Sequence, residues 1–361
     1  MENKRPQKIK IALVAPSMKN VGGQSIQAQR LIEAFAGDEN VLITLLPNDP
    51  DLETFGFLQR FKVIRTIATS LKFWWSLMRQ IPKFDFVQIY SSGTTGYIIS
   101  TIPPLFISKL FGKKTILNYH HGGLEEHIEE WKLTAKPTMK MFDEIVVPSQ
   151  FLVDVFAKFG FEAKAIYNFI DTEKFVFRRR RPLRPVFLSN RNFEADYNVG
   201  CILKAFGLIQ SEIPEARLIV AGYGREESEL KKLAETLKLK NVEFVGRVEN
   251  SEMPKIYDRA DVFLNASLVD NLPLSFIEAF ACGLPVVSSS VGGIPLLVEN
   301  GETGILIEEN NCRTLARETV KLMENAPLAE KIISQAFVES RKYSSEKIIQ
   351  LWRSFYQDFS G

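Results

Sequence analysis

The sequence predicts an α/β protein made of two doubly wound, parallel-sheet domains. Three observations carry this expectation. Its 361 residues are about twice the usual domain length, which favours two domains over one. Short runs rich in β-branched residues alternate with stretches of helical period in both halves, the pattern of parallel strands covered on both faces. Charge is divided as well: residues 1–180 hold 24 Lys/Arg and 18 Asp/Glu (+6), the remainder 21 and 25 (−4). Two lobes with different partners would give such a split.

In the first half Ile9–Ala15 reads as a buried strand, and Gln24–Phe35 as an amphipathic helix. Val41–Leu46, Phe86–Tyr90, Thr115–Tyr119 and Glu144–Pro148 are further strands, and Ser149 is placed to cap a helix over Gln150–Phe159. From Tyr167 to Pro185 the rhythm breaks. Prolines and the run Arg178–Arg181 suggest a linker or hinge, on the argument that like charges cannot be buried together. The alternation then restarts with strands at Pro185–Ser189, Ala216–Ala221, Val242–Val245, Asp261–Asn265, Pro285–Ser288 and Gly304–Ile307. Helices are expected at Val199–Leu208, Glu226–Leu237 and Ser275–Cys282, and after the strand Gly304–Ile307 to the end. The domains are therefore expected at 1–175, completed by a terminal helix over about 344–361, and at 185–343.

Composition excludes several classes. With 45% hydrophobic and 24% charged residues the chain is neither disordered nor of low complexity. No apolar run is long enough to span a membrane, and the polar opening MENKRPQKIK lacks a secretory pattern, so a cytoplasmic location is expected. Cys201, Cys282 and Cys312 are too few and too scattered for a disulfide scaffold, and read as small buried hydrophobes.

Sheets of this kind bind ligands beyond the carboxyl ends of their strands, so the loops there are the places to look. Gly22-Gly23 precedes the first helix, where backbone amides and a helix start favour an anion; a structural turn explains the pair equally well. All three histidines, His120, His121 and His127, fall in NYHHGGLEEH. Hydrogen bonding to a polar ligand, satisfied burial and, less readily, metal binding beside Glu125, Glu126 and Glu130 are the readings open to them. Arg191 follows one strand and Arg225 another, each suited to phosphate or to solvent. The most informative stretch is Asn265–Gly304. There Glu278 sits in the apolar helix SFIEAFAC and needs a polar partner, for which vicinal ribose hydroxyls are suitable. Asp270 precedes it by eight positions and could equally cap the helix start, and Gly292-Gly293 supplies a second glycine loop.

Over residues 185–310 these features, with LIVAGYG, VEFVGRV, IYDRADVFLNAS, LPLSFIEAFACGLPVVSSSVGGIPLLV and GETGILI, resemble the retaining glycosyltransferases of family 4. The first half resembles them more loosely, through PSMKNVGGQS, the His120 strand end and VVPSQFLVDVF. The resemblance implies a GT-B fold, two Rossmann-like domains facing a central cleft. It implies a nucleotide-diphosphate-sugar donor, a glycan or lipid-linked acceptor on the first domain, and a role in cell-surface polysaccharide or glycoconjugate synthesis. His120, Asp270 and Arg191 are the implied catalytic residues. Gly22, Gly23, Gln24, Arg191, Tyr197, Asn198, Gly222, Arg225, Arg247, Asn271, Leu272, Pro273 and Glu278 are the implied donor-binding set. No metal or cofactor is implied, and Asp49-Pro50-Asp51 reads as a coincidental D-x-D.

Two departures stand out. The family has Glu where this chain has Asp270, and a lysine five residues after the arginine, where this chain has Asp196, Tyr197 and Asn198. Losing one charge-assisted phosphate contact costs roughly 1.5–3 kcal/mol, which Arg225, Arg247, Tyr197 or Asn198 could offset. A catalytically silent nucleotide-sugar-binding relative and a nucleotide-sugar epimerase of the same fold are the rival readings. Lastly, Arg60–Lys83 combines six basic residues, no acid and Trp74-Trp75, which suits either an anionic membrane surface or a helix packed on the sheet with a solvated basic face. No motif for nucleic acid accompanies the basic runs.

Overall fold

The computed structural model describes residues 8–19, 22–50, 62–91 and 93–360. Asp51 of the D-x-D triplet and the basic residue Arg60 lie outside them. The chain divides into two compact units, Met1–Asn168 with Glu346–Gly361, and Phe169–Ser345. Each is built on a six-stranded, all-parallel sheet.

In the first unit β1 (Ile9–Ala15), β2 (Val41–Pro47), β3 (Phe86–Ser91), β4 (Lys114–Tyr119), β5 (Glu144–Val147) and β6 (Lys164–Ala165) lie in the order β2-β1-β3-β4-β5-β6. The order reverses between β1 and β3, a switch point at which the connecting loops diverge and leave a crevice. Five consecutive β1 residues, Ile11–Ala15, are fully buried, as a strand covered on both faces requires. Ser149 caps the helix Gln150–Lys158 by accepting from the Leu152 amide, as its position before that run suggests. The final helix, Ser345–Ser360, buries Ile348, Trp352 and Tyr356 in this unit. Tyr356 donates to Gln88 Oε1 on β3 at 2.6 Å, and Arg353 pairs with Asp38 at 2.8 Å.

The second unit contains β7 (Val186–Asn190), β8 (Arg217–Ala221), β9 (Val242–Gly246), β10 (Val262–Asn265), β11 (Val286–Ser289) and β12 (Ile305–Ile307). Their order, β12-β11-β10-β7-β8-β9, is the dinucleotide-binding one, with its switch point between β7 and β10. Helices Val199–Glu212 and Cys312–Glu324 pack side by side and join the core on one face.

Two sequence expectations need correction. Cys201 and Cys312 are a disulfide, their Cα atoms 5.2 Å apart, whereas Cys282 is free and buried. The two cysteines are 111 residues apart in the chain and meet only because their helices are neighbours. The arginine run is also not solvated throughout: Arg179 and Arg181 are exposed, but Arg180 and Arg178 are anchored on the second unit. Arg180 is buried, donating to the carbonyls of Ala260 and Tyr257 at 3.0 Å and to that of Cys282. Arg178 and Arg184 converge on the buried Asp261 carboxylate at 2.5 and 2.8 Å. Like charges can be buried when they share a carboxylate and the free carbonyls at helix ends, here of Met253–Arg259 and Leu274–Cys282. Burial alone would push Asp261 up, but hydrogen bonds from Arg184 and Arg178 hold it below the usual carboxylate range.

Replacing Arg180 by Met, which keeps the volume but removes three buried charge-assisted hydrogen bonds, should cost about 3–5 kcal/mol. Chemical denaturation measures this, and an unchanged midpoint would remove Arg180 from the account of how the segment is anchored.

Candidate functional site

At the second switch point, Arg191 directly follows β7 and Asp270 lies in the loop after β10. The sheet order alone makes these loops neighbours, and the side chains complete the contact. Arg191 Nη2 forms an ion pair with Asp270, Nη1 donates to Ser275 Oγ at 3.3 Å, and the guanidinium lies 4.2 Å from the centre of the Tyr197 ring. Arg191 Nε is buried and, among the described residues, has no hydrogen-bond partner. Asp270 also accepts from the Asn271 amide at 2.9 Å. Burial pushes its carboxyl above the ordinary range, while Arg191 and the Asn271 amide pull the other way.

The glycine loops set this geometry by letting backbones touch. A Cβ on Gly292 would stand 2.0 Å from the Asp270 carbonyl oxygen, and one on Gly293 2.0 Å from that of Asn271. Gly292 also has φ +52°, and the Gly293 amide donates to the Asp270 carbonyl at 3.1 Å. On the other side a Cβ on Gly222 would meet the Arg191 carbonyl oxygen at 2.1 Å. Backbone contact from two directions therefore fixes both partners of the ion pair.

Glu278 lies one helix turn further along, on Leu274–Cys282, of which every residue from Ser275 onward is buried. Its Oε2 accepts from the Tyr257 hydroxyl at 2.9 Å. Tyr257 is itself fully buried, donates also toward the Ser275 carbonyl at 3.2 Å, and accepts from Asn190 Nδ2 at 3.2 Å. Burial first, and the adjacent carboxylate second, hold the Tyr257 phenol protonated well above its usual range. Sequence reasoning missed Tyr257 and Asn190. The available signal was that a carboxylate in an apolar helix must have a donor, and IYDRADVF supplies a tyrosine beside a strand.

Asn271, Leu272 and Pro273 are buried between Asp270 and that helix. Not all of the expected set gathers here. The Arg225 side chain is 91% exposed and 3.8 Å from Glu194, and Arg247 is partly exposed beside Glu249 and 5.5 Å from the Tyr223 ring. Asn198 is held at φ +48° with its amide on Asn310 at 3.0 Å. Of the four groups considered as replacements for the missing lysine, only Tyr197 touches Arg191.

In the first unit the loop after β1 and the end of β3 flank the other switch point. Gly22 has an extended φ of −160°, and no described atom lies within 4 Å of a Cβ on Gly22 or Gly23, so no described neighbour imposes glycine there. The Gln24 side chain donates to the Ser91 carbonyl at 3.1 Å, tying the first helix to β3. His120 follows β4, its ring stacked on Tyr90 with centroids 4.7 Å apart, and its Nε2 is buried without a partner among the described residues. His121 accepts from the Gly123 amide at 3.1 Å, and His127 is buried, with Nδ1 2.9 Å from the Tyr119 hydroxyl. His127 is thus a core residue. Among the described residues no three His, Cys, Asp or Glu side chains gather to hold a metal ion.

Burial lowers the pKa of His120 to about 3 and that of His127 to about 4, from 6.5. As pH falls below 6.5 the unfolded chain takes up protons that the folded unit refuses. Stability is therefore fully present above that pH and is lost progressively as pH falls toward 3. Thermal melts should show this fall, flattened in the His120→Asn, His127→Gln double variant; an identical pH profile would contradict it. In the second unit Gly293→Ala should lower stability by about 1–3 kcal/mol through backbone displacement, read from denaturant midpoints.

Residues 171–338 match the family model of the glycosyl transferases group 1, and residues 21–174 that of Glycosyltransferase Family 4. The chain is 26% identical over 208 residues to the N-acetyl-alpha-D-glucosaminyl L-malate synthase of Bacillus anthracis, covering 55% of this chain and 54% of that protein. It is 34% identical over 152 residues to the poly(glycerol-phosphate) alpha-glucosyltransferase of Bacillus subtilis, covering 42% and 22%. The chain thus spans about half or less of the length of these curated relatives. Among solved structures, HepE of Anabaena in complex with UDP and glucose aligns at TM-score 0.75 with 18% identity, over 97% of this chain and 100% of HepE.

Proposed function

The chain belongs to the group 1, family 4 glycosyltransferases of the GT-B fold, and from that premise we propose that it moves a sugar from a nucleotide-diphosphate donor to a glycan or lipid-linked acceptor with retention of anomeric configuration. The observation that carries this reading is the orphaned Arg191 Nε beside the Asp270 pair at the second switch point. A buried N–H without a partner costs about 1–3 kcal/mol, and a phosphate oxygen would satisfy it.

In this reading the donor lies on the second unit. Glu278, held by Tyr257, accepts from the ribose hydroxyls, and Arg191 meets the diphosphate through Nε. Asp270 faces the sugar. His120, neutral above about pH 3, is the group proposed for a sugar hydroxyl. As the glycosidic bond breaks, negative charge grows on the leaving diphosphate, and stabilising it is the chief work asked of the protein. The acceptor hydroxyl attacks from the same face, and its proton passes to a diphosphate oxygen. No resident metal or cofactor is invoked. UDP-glucose is the first donor to try, since HepE, of the same fold, is solved with UDP and glucose. A surface polymer is the acceptor class favoured by the name of the Bacillus subtilis relative.

A second reading, binding without turnover, is favoured by the absent lysine and by the engagement of Arg191 with Asp270. One assay separates the two. Purified protein incubated with UDP- and GDP-sugars should release nucleotide diphosphate in the presence of a chelator and yield a product of retained configuration by NMR. Glu278→Gln should raise the donor KM about 10- to 100-fold, the worth of a hydrogen bond to a charged group. Donor binding with no release under any acceptor would establish the silent relative instead, and release that stops with chelator would end the metal-free reading.

A further inference from the structure

The helix Lys62–Gln80 carries more apolar surface than the first unit covers. Phe73 and Leu77 are buried in the core. Ile67, Leu71, Trp74, Trp75 and Met78 are all exposed, Trp75 at 62%. Their spacing of three and four residues gathers them into one stripe, rotated well away from the buried pair. Exposed Lys72 and Arg79 flank the stripe on one side, and the Arg79 guanidinium lies 4.5 Å from the centre of the Trp75 ring. The neighbouring helix Ile102–Leu110, which packs against this one, exposes Phe106 and Leu110 at 50% and 70%, and Ile99 just before it is exposed too. Soluble proteins rarely leave so much adjoining apolar surface bare.

We propose that this face docks on an anionic phospholipid bilayer, an interaction that does not depend on the sugar-transfer reading. Charge selects the occupant. Between Glu53 and Asp85 the sequence holds six cations, Arg60, Lys62, Arg65, Lys72, Arg79 and Lys83, and no acid, and from Phe86 to Gly123 it adds Lys109, Lys113 and Lys114 with no acid. A second copy would set cation against cation. An anionic bilayer surface satisfies both the cations and the apolar stripe, and tryptophan beside arginine suits the boundary between headgroups and acyl chains. Among the described residues no helix is long and apolar enough to cross a membrane, so contact would be from one side. In a parallel sheet the connecting helices run opposite to the strands. The Ile67 end of the helix therefore lies toward the strand ends that carry Gly23 and His120, which brings an acceptor anchored in lipid toward that edge.

Flotation of the full chain with vesicles of phosphatidylglycerol and phosphatidylcholine, against pure phosphatidylcholine, tests this. Binding is expected only with the anionic lipid. It should fall at least about thirtyfold in Lys72→Glu, Arg79→Glu, in line with about 1 kcal/mol for each of the two basic residues lost at the surface, and it should also fall in Trp74→Ser, Trp75→Ser. Both variants replace exposed side chains, and unchanged thermal melts and unchanged UDP binding would show that they fold. The proposal is overturned by vesicle binding indifferent to lipid charge, by binding that survives the tryptophan changes, by no binding at all, or by a wild-type dimer that the tryptophan variant dissolves.

Discussion

The second unit depends on one pair of opposite charges held at the point where its strand order reverses. Arg191 and Asp270 come from loops that leave adjacent parallel strands in opposite directions, and the ion pair joins them beside one backbone hydrogen bond, from the Leu268 amide to the Asp196 carbonyl at 2.7 Å. Two buried charges are tolerated there only because each is compensated. Arg191 has Asp270, Ser275 and the Tyr197 ring, and Asp270 has Arg191 and the Asn271 amide. The buried nitrogen of this pair left without a partner among the described residues is Arg191 Nε. An aspartate in place of the longer glutamate fits the same arrangement, since Gly292 and Gly293 bring backbone hard against residues 270 and 271 and fix where the shorter side chain starts.

The fold was legible because parallel strands covered on both faces must be continuous apolar runs, and all eleven runs read from the sequence overlap observed strands. The candidate site was legible only in part. Arg191, Asp270 and Glu278 stood out because charged residues beside apolar runs demand an explanation. Tyr257 and Asn190 did not, since a tyrosine near a strand is ordinary until its hydroxyl is seen to meet Glu278 at 2.9 Å. Arg225 and Arg247 were chosen by sequence position beside glycine turns, yet both point to nearby glutamates. Strand-end position narrows the search to loops but says nothing of side-chain direction, which depends on packing that sequence spacing does not encode.

The same limit explains the two misreadings of the fold. Cys201 and Cys312 look scattered along the chain, but each opens or nearly opens a helix, and those helices lie side by side. The arginine run looked too charged to bury, yet its targets are three backbone carbonyls and Asp261, none of which is visible without knowing where the helices Met253–Arg259 and Leu274–Cys282 end. In both cases a local rule about composition failed because the compensating groups are distant in sequence.

Buried polar groups divide this protein into parts that are closed and parts that are open to a ligand. The Arg180 network is closed: its guanidinium is spent on main-chain carbonyls, and its pKa, lowered to about 10 by burial first of all, still leaves it charged at neutral pH. His127 is closed by Tyr119. His120 and Arg191 are less deeply placed, yet each presents one buried nitrogen that no described residue meets. A fold seldom leaves such groups unpaired, because desolvating them has already cost energy that water would have returned. Gln88 Nε2 and Ser189 Oγ are further buried atoms without a described partner, but His120 and Arg191 stand at the carboxyl ends of parallel strands, where ligands of this architecture bind.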